Sequence, residues 1–121
     1  MATFPTTSFG GTMLDQLSGY ATALAIYTTP PTKAGGGTEV QRVTFSLGDS
    51  VTGTVGRTAQ RTGTNVLFLS LPVAGTSILG IAIVDDDTDE VLMVKDDWTP
   101  TNTYAVGDNM LVDALTVFTE N

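Results

Sequence analysis

The densest group of chemistry-bearing side chains is Asp85-Asp86-Asp87-Thr88-Asp89-Glu90, with Asp96 and Asp97 beyond it. Asp85, Asp87, Asp89 and Asp96 stand at positions 1, 3, 5 and 12 of a calcium-loop pattern, and Ca²⁺ takes such carboxylate oxygens. The pattern breaks at position 6, where the sharp turn calls for Gly and the chain has Glu90. The flanks read as strands rather than helices. The expectation is therefore an acidic hairpin tip facing water, with calcium at Asp85, Asp87, Asp89 and Asp96 as the lesser reading. Carboxylate-pair catalysis needs two acids facing across a cleft, one of them buried. Acids strung along one turn point into water, so no enzyme is expected.

Other chemistry is limited by what the chain lacks. It has no His and no Cys. That removes Ser-His-Asp and Cys-His relays, disulfides and the usual zinc ligands. Gly35-Gly36-Gly37-Thr38 lacks the Lys and the spacing of a phosphate-binding loop, and reads as a flexible connection. Trp98, Tyr104 and Tyr27 suit either the rim of a core or a sugar-binding surface. No cofactor is expected.

The elements that carry these residues read mostly as β. The chain has 121 residues, enough for one domain. Thr occurs 22 times and suits the exposed faces of strands. Strands are expected at Ala21–Tyr27, around Val43–Leu47, at Val51–Val55, Leu67–Leu71, Ile78–Val84, Val91–Lys95 and Met110–Thr119. Turns fall between them at Gly48-Asp49-Ser50, Pro72–Thr76, Asp86–Asp89 and Gly107-Asp108-Asn109. About seven strands with turns every 8–12 residues indicate an all-β domain, a β-sandwich or a barrel-like form. Thr12-Met13-Leu14-Asp15 has the form of a helix start and Gly19 that of a stop, giving one short helix. Val66 to Val84 is uncharged and nearly as long as the roughly 20 residues of a membrane span. Its Pro72, Gly75 and Gly80 favour two buried strands, so no membrane is expected. Residues 1–11 read as an extended N-terminal arm with no features of a secretory leader, and 12–121 as the single β domain.

The net charge of −8 is uneven. Residues 1–84 carry three acids against Lys33, Arg42, Arg57 and Arg61, whereas residues 85–121 carry ten acids against Lys95. The excess of acid argues against nucleic acid. The Arg side chains and the acidic third suit contact between subunits. Phe4, Pro5 and Phe9 would anchor the arm on a neighbour, and Arg42, Arg57 and Arg61 would meet an acidic surface.

Several phrases in succession resemble a family. They are Leu24-Ala25-Ile26-Tyr27-Thr28-Thr29-Pro30 with Gly37-Thr38-Glu39-Val40, then Arg42-Val43-Thr44-Phe45. Ile81 to Asp85 with Val91-Leu92 follow, and then Pro100-Thr101 with Ala105-Val106-Gly107-Asp108. Together they resemble small tail-fibre-type virion proteins of tailed bacteriophages, over about residues 20–118. The chain departs from that family where Gln41-Arg42 directly follows Val40, and in lacking a Trp and a His before Ile81. The resemblance implies a small β-sandwich that resides in the virion and acts through protein surfaces. A short domain without heptads or repeats suits capsid decoration better than a fibre shaft. The expected role is thus a decoration or cement protein (a minor capsid protein) bound to the major capsid protein or other virion proteins. It would act as a homo-oligomer, a trimer among the options. The alternatives are a tail or tail-fibre component, or a calcium- or carbohydrate-binding β-module.

Overall fold

The computed structural model describes residues 6–32, 34–48, 51–52, 57–95, 98–100, 102–113 and 116–120. Helix α1 spans Thr7–Asp15, and a 3-10 turn at Gln16–Gly19 continues it. Residues 7–11 are therefore helical, which corrects the extended reading of that part of the arm. Thr6 rather than Thr12 is the N-cap: its Oγ1 accepts from the Phe9 N–H at 3.2 Å. Thr12 lies inside the helix, and its hydroxyl donates back to the Ser8 carbonyl. Gly10 and Gly11 each cost an isolated helix about 1 kcal/mol relative to Ala. Both are buried here, and α1 packs on strand Arg57–Thr62, so tertiary contact offsets the poor propensity.

Nine strands follow among the described residues: β1 Thr22–Thr29, β2 Thr38–Thr44, β3 Val51–Thr52, β4 Arg57–Thr62, β5 Val66–Phe68, β6 Gly80–Asp85, β7 Val91–Lys95, β8 Met110–Val112 and β9 Thr116–Glu120. They make three antiparallel sheets with orders β2-β1-β6-β7, β3-β4-β9 and β5-β8. The protein is mostly β with one short α-helix. The barrel-like option is corrected, because the strands do not close into one barrel.

β1 and β6 form the centre of the largest sheet. Residues 80–84 of β6 are buried, as the run of apolar residues predicts, and Asp85 is buried too, against the expectation that it faces water. Leu24 and Ile26 pair with Ile83 and Ile81 and face the main core. Phe68, Met110, Val66 and Val112 from β5 and β8 enter the same core, as do Leu14 of α1 and Leu17 of the 3-10 turn. The opposite face of the large sheet carries Ala23, Ala25, Tyr27, Ala82 and Val84, a second buried cluster.

Further sequence expectations shift: the strand expected around Val43–Leu47 lies earlier, as β2 at Thr38–Thr44. The strand expected over Leu67–Leu71 is β5 at Val66–Phe68, where Val66 and Phe68 point inward while Leu67, and Leu69 just beyond, are exposed. Both alternating sets are apolar, so hydrophobicity alone could not choose between them. The strand expected from Met110 to Thr119 is two strands in different sheets, β8 against β5 and β9 against β4. The Gly-rich loop closes on itself, with reciprocal bonds between Thr32 and Gly35. Gly37 takes φ +85, and a Cβ there would stand 2.7 Å from the Pro31 nitrogen. Only Gly fits that position.

Candidate functional site

The acidic cluster sits where β6 turns into β7. Asp85 ends β6 and is buried. Its Oδ1 accepts from the Asp87 N–H at 3.1 Å, and its Oδ2 accepts from the Thr88 hydroxyl at 2.8 Å. The Asp89 N–H donates to the Asp85 carbonyl, and the Asp85 N–H to the Glu90 carbonyl, both at 2.8 Å. Asp85 thus folds the turn by the side-chain-to-backbone bonding that makes Asp common in turns. The Thr88 hydroxyl, followed by the Asp87 N–H, holds the Asp85 carboxyl below its ordinary value, against the opposing effect of burial. Asp89 accepts a left-handed backbone, φ 62, which Asp tolerates better than most residues.

A guanidinium faces this turn. Arg42 on β2 donates from Nη2 and Nε to both Glu39 oxygens, at 2.7 and 2.9 Å. Its Nη1 donates to Asp89 Oδ1 at 2.8 Å and to Asp86 Oδ1 at 3.3 Å. The Glu39 bonds above all hold Arg42 firmly in its charged form. Register explains the reach. Arg42 pairs with Ala25, and Ala23 pairs with Val84, two residues before Asp86. Alternation puts Arg42, Ala23, Ala25, Val84 and Asp86 on one face. The arginine therefore reaches across β1, whose Ala23 and Ala25 stand on the same face.

These contacts set the chemistry available. Both Asp85 oxygens are used by the turn, and Asp89 is used by Arg42. Among the described residues no three or more His, Cys, Asp or Glu side chains converge to hold a metal ion. Asp96, the fourth residue of the calcium pattern, lies outside the described residues. Tyr27 is buried, and burial above all pushes its phenol up. Trp98 and Tyr104 are half-buried against the main core. All three aromatics pack against buried clusters.

The six residues expected at an interface fall into three groups. Phe4 and Pro5 lie outside the described residues. Arg57 and Arg61 belong to β4, and their side chains are likewise outside the description. Phe9 and Arg42 are described, and they differ. Arg42 is engaged within the molecule, so it is not an unpaired cation waiting for an acidic neighbour. Phe9 stands on α1 with 60% of its surface exposed. Met13, one helical turn on, is 47% exposed and lies on the same side. Gly10 and Leu14 take the buried side.

A second apolar surface escaped the sequence reading. Leu67 and Leu111 pair directly across β5 and β8, and with Leu69 they point away from the core. The signal was present in Val66-Leu67-Phe68-Leu69: both phases of this strand are apolar, and a strand covered on only one face must turn one of them outward.

These features define an antiparallel β protein with an internally neutralised arginine and apolar side chains on its outside. Among the described residues no helix is long and apolar enough to cross a membrane. No family model, no curated protein and no solved structure matches the chain.

Proposed function

We propose that the chain is a structural component of a bacteriophage virion, a capsid decoration or cement protein that binds the major capsid protein. The observation that carries this reading is the pair of exposed apolar surfaces, Phe9 with Met13 and Leu67 with Leu69 and Leu111. Large apolar groups kept in water on an acidic protein suit a surface meant for another protein. The ordered resemblance to virion proteins adds the context. We read the architecture as a β-sandwich, with β1 and β6 on one side of the main core and β5 and β8 on the other. The particle would then hold many copies, each adding a modest contact to the assembled shell, so that avidity stabilises the shell.

Particles assembled with Phe9→Asp and Leu69→Asp variants test the reading. The expected result is loss of incorporation with the melting temperature of the free protein within a few degrees of wild type. Full incorporation of both variants would overturn it. Labelled protein on the tail instead of the shell would favour the tail component. Deleting residues 1–11 is not a clean test, because it removes the first half of α1.

A further inference from the structure

We propose that Arg42 is an ionic latch: it holds the β6–β7 turn down across β1, and breaking its ion pairs frees residues 86–90 while the main sheet stays folded. The proposal is independent of the virion reading. It rests on how differently the two ends of β6 are secured.

From Ile81 to Val84, β6 is buried and paired on both sides, with β1 and with β7. The turn that follows has exposed residues from Asp86 to Glu90. Its backbone is held by local bonds and by the Asp86 N–H donating to the Ala21 carbonyl. Arg42 adds the side-chain tie to a strand two places away in the sheet. Such a segment, poor in buried apolar contact, can open without the rest of the domain.

The charges show why a latch is needed. Glu39 faces Arg42 from β2, and Asp86 and Asp89 face it from the turn. Tyr27 faces it from β1 as a neutral phenol. Asp85, Asp87 and Glu90 complete the turn, and Lys95 stands at the other end of the hairpin, opposite Ile81. Three carboxylates therefore share one guanidinium. Without Arg42 the turn would keep Asp86, Asp87, Asp89 and Glu90 close together with Glu39 nearby, and like charges so placed repel. The network is also graded. The Arg42 side chain is 22% exposed and that of Asp89 is 78% exposed. Salt will screen the outer pairs more strongly than the inner Glu39 pair.

Amide hydrogen exchange on the full chain tests the latch. The probes are the N–H groups of Asp86, Asp87, Asp89 and Glu90, with Leu24 and Ile83 as monitors of the sheet. In Arg42→Gln the turn amides should lose tenfold or more in protection at neutral pH, while the monitors change less than threefold. Arg42→Lys, which keeps the charge but not the fork, should fall between. Raising NaCl to about 1 M should loosen the turn in the wild type, whereas in Arg42→Gln it should screen the carboxylate repulsion and leave the turn no looser. Turn protection within twofold of wild type in Arg42→Gln would overturn the proposal. So would loss of protection by the same factor at the turn and at Leu24 and Ile83, or an equal effect of salt on both proteins.

Discussion

The β6–β7 turn and the β5–β8 ribbon treat their side chains in opposite ways. The turn is crowded with carboxylates, yet Asp85, Asp86 and Asp89 each have partners inside the molecule. The ribbon is almost uncharged, yet it turns Leu67, Leu69 and Leu111 to the outside. A reading by residue type alone would assign binding to the acids and the core to the leucines. The contrast teaches that three of the turn's carboxylates are engaged with their own fold, and that among the described residues the ribbon turns large apolar side chains outward.

Four measurements can break or sharpen that contrast. The largest effect is expected from neighbours on opposite faces of β5. Phe68→Ala should cost about 3–5 kcal/mol by chemical denaturation, the usual range for emptying a buried aromatic site. Leu67→Ala, one residue away, should cost a small fraction of that, and equal losses would remove the inside–outside distinction. Next comes Asp85→Asn, which replaces the anionic acceptor of the Thr88 hydroxyl. The Asp85 carboxyl is held low in the folded protein. Its contribution is thus present above its unfolded value, about 4, and is lost as pH falls through the lower folded value. The wild type should lose stability over that acid window, and Asp85→Asn should have a flatter profile there. An unchanged slope would show that Asp85 is not the turn's anchor. Arg42→Gln should lower global stability by about 1 kcal/mol or less, as for partly exposed ion pairs. A loss of several kcal/mol would place Arg42 in the core of the fold instead of over one face. The smallest effect is expected from Leu69→Asp, within about 0.5 kcal/mol of wild type, as for surface substitutions generally. The same variant should still lose particle binding.

Much of the large sheet was legible in the sequence. Ile81-Ala82-Ile83-Val84 is an apolar, largely β-branched run, and it is a strand buried on both faces. Val91–Lys95 and the turn at Asp86–Thr88 also lie where the sequence places a strand and the hairpin turn before it. The missed elements share one property: their local signal is weak or points two ways. Arg57–Thr62 reads Arg-Thr-Ala-Gln-Arg-Thr, with no apolar period, and it is a strand because β3, β9 and α1 border it. Thr6 and Thr12 are both competent caps, and packing of Gly10, Gly11 and Leu14 selects the longer helix. As for the candidate site, Phe9 was legible as an exposed apolar residue near the N-terminus, whereas the leucine surface was hidden by the ambiguous phase of β5.

The sequence by itself determined that this is a β-rich chain with acids gathered in its last third, a hairpin at Asp86–Asp89, and no imidazole or thiol chemistry. Those properties follow from composition and from spacing over a few residues. Only the tertiary structure decided which leucines face outward, where the helix begins, and what Arg42 does. Each of those depends on a partner far along the chain: Met110 against Phe68, β4 against α1, and Asp86 and Asp89 against Arg42. Hydrophobic patterning is blind to such pairings, because burial and ion pairing are settled by what arrives opposite a side chain once the sheets have formed.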